Sequence, residues 1–162
     1  MIRPATILVF AATLGALSVS LVGAESFSGD RAMELLLWQC DMGPRTPGSE
    51  AHAELRQGVA EMAEDLGLRF ATDEFTAVTP IDGVERDYFN LVISAGPVTG
   101  ERLWLGAHYD CRLLADQALT PEARSQPVLG ANDGASGVAV LLHLAELLAA
   151  TPPDLRVDLI LF

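Results

Sequence analysis

His108, Asp110 and Asp133 are the residues whose types and placement could do chemistry in this chain. His108-Tyr109-Asp110 closes a short apolar run, Leu103–Ala107, and Asn132-Asp133-Gly134 stands at the mouth of an apolar-periodic helix. An imidazole offers one ring nitrogen to a metal, and a nearby carboxylate can accept the other ring N–H, which fixes tautomer and ring orientation. Asp133 can place its two oxygens on one cation or on two. Helix polarity alone would favour an anion at that helix start, whether or not metal binds. His-x-Asp by itself is a weak signal, because a histidine beside an aspartate is usually structural. The second cluster gives it weight.

These clusters need elements that bring them together. Arg102–His108 reads as a strand, and Cys111–Gly130, which holds Pro121 and Pro127 and has no clear period, as a long loop. Gly134–Ala150 reads as a helix that buries Val138, Leu141, Leu142, Ala145, Leu148 and Ala149 and stops at Pro152-Pro153. Arg156–Phe162 is an apolar run of strand length. Together they form a β-loop-α-β unit, hence a parallel strand pair with a right-handed crossover. In open α/β sheets, sites gather outside the carboxyl ends of the strands, so His108, Asp110 and Asp133 should meet there.

Upstream, Ser28-Gly29-Asp30 marks a helix start, with Arg31–Cys40 as a short helix whose apolar face is Met33, Leu36 and Leu37. Gly43-Pro44-Arg45-Thr46-Pro47-Gly48-Ser49 is a rigid loop, and Ser49 is a natural N-cap for a helix over about Glu50–Leu66. Ala51, Leu55, Val59, Met62 and Leu66 line the apolar face of that helix. Strands are expected over Leu68–Thr76 and Asp87–Ala95, joined through a hairpin-like turn at Asp82-Gly83.

Other chemistries fit less well. Ser136 lacks the Gly-x-Ser-x-Gly elbow, and no strand leads directly into it. Gly130, Gly134 and Gly137 follow neither a Walker loop nor a dinucleotide fingerprint. His52 follows a helix N-cap and is expected to act there locally, and His143 with Glu146 is expected as a surface pair.

The chain has 162 residues, 50% of them hydrophobic, and a net charge of −12 with no lysine. One domain, or part of one, is expected. An acidic chain without a basic run speaks against nucleic acid or anionic lipid as partner. Residues 1–24 read as a signal peptide: Arg3 precedes an apolar run, and Val22-Gly23-Ala24 offers a cleavage site. The rival is an uncleaved anchor. Either way the domain is expected to be exported, periplasmic or extracellular, with no stable membrane insertion once the segment is removed. In an oxidising compartment Cys40 and Cys111 pair or stay separate buried thiols, and sequence leaves both open.

Gly106-Ala107-His108-Tyr109-Asp110 followed by Gly130-Ala131-Asn132-Asp133-Gly134-Ala135-Ser136-Gly137-Val138 resembles the zinc-dependent aminopeptidase family that also contains the glutaminyl cyclases. The loop Gly43–Ser49, with His52 after it, resembles that family's N-terminal signature, so the likeness runs from about Asp30 to Phe162. It implies an α/β fold, a three-layer α/β/α sandwich with a mixed, mostly parallel central sheet, of which 25–162 would be the N-terminal part. His108 would ligate zinc, Asp133 would bridge two zincs, and Asp110 would orient the histidine. The resemblance also implies a further acidic cluster just past Phe162, carrying the general base, so the chain is expected to be the front of a longer domain. The expected function is an exported zinc aminopeptidase acting on peptide or protein N-termini with two ions. The alternatives are a glutaminyl-peptide cyclotransferase with one ion and a non-catalytic ectodomain.

Overall fold

In the computed structural model, residues 26–162 are described, and the segment 1–24 read as an export signal lies outside the described residues. Helix α1 (Gly29–Asp41) starts where the Ser28 hydroxyl accepts the Arg31 N–H at 3.2 Å. Helix α2 (Glu50–Asp65) starts in the same way, with Ser49 Oγ accepting the His52 N–H at 3.1 Å. A side-chain oxygen at the N-cap satisfies an amide that the helix itself cannot pair. Strands β1 (Arg69–Val78) and β2 (Glu85–Ala95) form a hairpin, followed by β3 (Arg102–Ala107). The loop beyond β3 holds one short helix, α3 (Pro121–Arg124). An irregular turn, Ala131–Ala135, leads into α4 (Ser136–Ala150), and β4 (Arg156–Leu161) closes the described chain.

The sheet order is β1-β2-β4-β3. β3 and β4 are parallel neighbours in the register Arg102↔Arg156 to Ala107↔Leu161, as the β-loop-α-β pattern requires. β2 pairs antiparallel with both β1 and β4. The fold is therefore α/β with a mixed sheet, but over these four strands antiparallel pairing predominates. A hairpin must be antiparallel, and β2 then presents its other edge to β4 in the opposite direction.

Strand side chains alternate between faces, and one set is buried. Leu91, Ile93, Val157, Leu159 and Leu161 join Leu35 of α1, Leu55 and Val59 of α2, and Val138, Leu142 and Ala145 of α4 in one core. All three long helices thus share one face of the sheet. On the other face Trp104 is 63% exposed. The buried side of α1 differs from expectation: Leu35 and Gln39 are buried, whereas Met33 and Leu37 are exposed. α1 is apolar nearly all round from Met33 to Trp38, so period alone could not choose the side that meets α4.

Candidate metal centre

β3 delivers His108 to the carboxyl edge of the sheet, and the ladder to β4 continues past it. Phe162 donates its N–H to Ala107 O at 3.1 Å, and Tyr109 donates its N–H to Phe162 O at 3.0 Å. Between the two candidate residues, Tyr109 turns inward and is buried. Its hydroxyl donates to Phe89 O at 2.8 Å, and its ring stacks on His52 at 4.8 Å between centroids. Burial pushes the Tyr109 phenol up to about 12, so it remains a neutral donor. With Tyr109 anchored, the neighbouring His108 and Asp110 are left on the solvent side.

The three sequence-predicted site residues meet. Asp110 Oδ1 lies 3.1 Å from His108 Nδ1, and Asp133 Oδ1 lies 3.0 Å from His108 Nε2. Their side chains are 41–63% exposed at the mouth of the edge. The turn carrying Asp133 approaches this closely because residue 134 is glycine. Its φ is +104°, and a Cβ there would stand 2.9 Å from Asp110 O and 3.2 Å from His108 Cε1. A side chain would face both a left-handed backbone and a collision.

Two ligand atoms about 2.0–2.1 Å from one tetrahedral ion stand about 3.3 Å apart. Nε2 of His108 and Oδ1 of Asp133 are 3.0 Å apart, close to that spacing, while Asp110 holds the ring nitrogen that would not ligate. Two donors therefore fit. Among the described residues, no three His, Cys, Asp or Glu side chains form a group that could hold a metal ion. A catalytic zinc usually takes three protein ligands.

Two histidines depart from expectation. His52 does not cap α2 with its ring; only its backbone N–H bonds Ser49, and the buried ring stacks on Tyr109. Burial first, and then the charge of Arg56, lower His52 to about 4, so it is neutral packing under the site. His143 does pair with Glu146 at 2.7 Å, but it is buried, because its Nε2 accepts the Ser28 N–H at 2.9 Å and Phe27 lies against the ring. The pairing was visible at i,i+3 spacing; the chain segment that covers it was not. Both cysteines are free, and burial pushes the Cys111 thiol up.

A recess of about 300 Å³ opens beside His108 and Asp110, walled by Phe75, Tyr88, Phe89 and Phe162. Glutaminyl cyclases and a Zn-dependent exopeptidase of known structure share this mixed-sheet α/β fold. Residues 90–162 match the model of peptidase family M28. A glutaminyl-peptide cyclotransferase-like protein of Bos taurus is 32% identical over 118 residues, which cover 69% of this chain and 28% of the relative. A solved glutaminyl cyclase from Bacteroides thetaiotaomicron, bound to N-acetylhistamine, superposes with a TM-score of 0.80 at 32% identity, over 86% of this chain and 47% of that one. A Zn-dependent exopeptidase from Parabacteroides distasonis gives 0.82 at 29% identity, over 86% and 48%. The chain thus spans under a third of the bovine relative and about half of each solved chain.

Proposed function

We propose that the full-length protein is an exported, zinc-dependent aminopeptidase that hydrolyses the N-terminal peptide bond of peptides or proteins. The observation that carries this reading is the contact of His108 with a carboxylate at each ring nitrogen, 3.1 Å to Asp110 and 3.0 Å to Asp133. With the proton on Nδ1, Asp110 would accept it and leave the Nε2 lone pair for a metal beside Asp133. His108 and Asp133 would hold zinc, and Asp133 has a second oxygen free to reach a second ion. When bound, zinc would polarise a carbonyl and make water acidic enough to serve as nucleophile near neutral pH. Asp110 and Asp133 also give this edge negative charge, which suits a substrate's free ammonium group.

A second reading, glutaminyl-peptide cyclotransferase, is favoured by the names of the bovine relative and the Bacteroides thetaiotaomicron structure. Both activities act at a peptide N-terminus. The deciding experiment measures zinc per chain in the full-length protein, together with release of free amino acid from unblocked peptides and cyclisation of N-terminal glutaminyl peptides. About two ions and hydrolysis support the peptidase. About one ion and cyclisation support the cyclotransferase. No zinc and neither activity would leave a binding module.

A further inference from the structure

We infer that Arg45 is a positioning residue for the His108–Asp133 site, clasping the segments that carry its two halves; this rests on the metal-centre reading proposed above. Arg45 lies in the loop between α1 and α2 and is completely buried. Its Nη1 donates to Gln39 O at 2.9 Å and Gly43 O at 3.2 Å, and its Nη2 donates to Leu129 O at 3.2 Å and Gly130 O at 3.1 Å. Its own carbonyl accepts the Cys111 N–H at 3.0 Å. One residue is thereby bonded both to the segment that leaves Asp110 and to the segment that enters the Asp133 turn.

The grip on Gly130 is the consequential one. The same Gly130 carbonyl accepts the Ala135 N–H at 3.1 Å, which closes the turn holding Asp133. Gly130 has a φ of +70°, and a Cβ there would lie 2.5 Å from Cys111 Sγ and 2.8 Å from Asp133 O. The turn is thus seated tightly on the start of the loop. Cys111 Sγ donates to Leu129 O at 3.1 Å, and Val128 N–H donates to Arg112 O at 3.2 Å, so the loop neck is sealed beside the guanidinium.

Arg45 forms no ion pair with a carboxylate among the described residues; its partners are carbonyl dipoles. A buried cation is costly unless its hydrogen bonds are met; Nε has no partner among the described residues, so the carbonyls on Nη1 and Nη2 must stay where they are. The planar fork sends two nitrogens to two separate carbonyl pairs, which a single ammonium cannot copy.

The test uses full-length Arg45→Lys and Arg45→Gln. Zinc affinity of the metal-free protein is measured by chelator competition, and thermal stability is measured without metal. Val59→Ala, in the core on α2, is the control for general destabilisation. Supporting results are a folded Arg45 variant with zinc affinity about 10–100-fold weaker than wild type, the range lost when a ligand's supporting partner is removed, while Val59→Ala melts earlier with unchanged affinity. A folded Arg45 variant with wild-type affinity overturns the positioning role alone. Failure of both variants to fold, even with saturating zinc, makes Arg45 a core-stability residue and also overturns it. If wild type itself takes up no zinc, the metal-centre reading falls, and this inference falls with it.

Discussion

Two aspartate clusters in this chain are built from similar parts and end in opposite states. Asp158, in the middle of β4, is fully buried, and all its oxygens are engaged: Ser94 Oγ at 2.5 Å, Arg156 Nε at 2.8 Å, and Arg102 Nε and Nη2 at 3.0 and 2.5 Å. Asp110 and Asp133 are 44% and 63% exposed, and among the described residues their only close ion partner is a histidine shared between them. The first cluster is neutralised from within by arginines on neighbouring parts of the sheet, so it asks for nothing further. The second has surplus negative charge at the carboxyl edge of the strands and an imidazole nitrogen aimed at it. Under the metal-centre reading, that surplus negative charge is what a cation from outside would meet. Acidic content alone says little; what matters is whether the protein supplies the counter-charge.

The largest expected effect comes from removing the exposed cluster. His108→Ala or Asp133→Ala in the full-length protein should drop zinc content and activity by more than about 100-fold, beyond what loss of a supporting partner costs. Circular dichroism and the melting curve should stay near wild type. Full zinc occupancy in Asp133→Ala would erase the distinction between the clusters.

The buried cluster should behave in the reverse way. Arg102→Ala combined with Arg156→Ala leaves Ser94 as the remaining side-chain partner of Asp158 and removes the side chains that cover it. That should cost about 1–3 kcal/mol in urea unfolding, less than breaking a deeply buried pair because water can then reach the carboxylate on this open face. Zinc bound per folded molecule should not change.

Asp110→Asn keeps the shape but weakens the acceptor facing Nδ1. Zinc affinity and turnover should fall about 10–100-fold, less than on losing a ligand. Loss as complete as that in His108→Ala would promote Asp110 to direct ligation.

The smallest effect is a pH dependence. Burial alone would raise Asp158, but hydrogen bonds from Ser94, Arg156 and Arg102 outweigh it and hold the carboxyl well below its ordinary 3.8. A depressed folded value means that the unfolded chain takes up the proton first. The contribution is therefore intact above about pH 4 and is lost as pH falls below that. The stability gap between wild type and Asp158→Asn should be flat above about pH 5 and narrow below about pH 4. A gap that stayed constant into acid would mean the carboxylate is not specially stabilised.

Much of the candidate site was legible because its signals are local. The run into His108-Tyr109-Asp110, the helix behind Asp133 and the strand after Pro152-Pro153 each announce themselves by period or punctuation, and their order implies the parallel pair found between β3 and β4. What sequence did not reveal depends on partners far along the chain. Arg45 stood in a loop defined by its prolines and glycines, and nothing near it hinted that Leu129 and Gly130 would take its guanidinium. The burial of His143 follows from Ser28, 115 residues away. The strand pairing of β2 with β4 skips β3 entirely and has no signature in either strand. His52 was a polar residue near a cap until Tyr109 supplied a ring to stack on.

That skipped pairing sets a timetable for the chain as it is made. β2 ends at Ala95 and its inner partner begins at Arg156, 156 − 95 = 61 residues later. At about 5–20 residues per second, β2 waits roughly 3–12 s with one edge unsatisfied. Until β4 arrives, Phe162 O cannot receive the Tyr109 N–H, and the His108 segment has no ladder to hold it. The nascent protein thus carries an open β-edge and an unformed site together, and both are resolved by the same late strand. During that interval the chain would be a ready client for chaperones that shield strand edges.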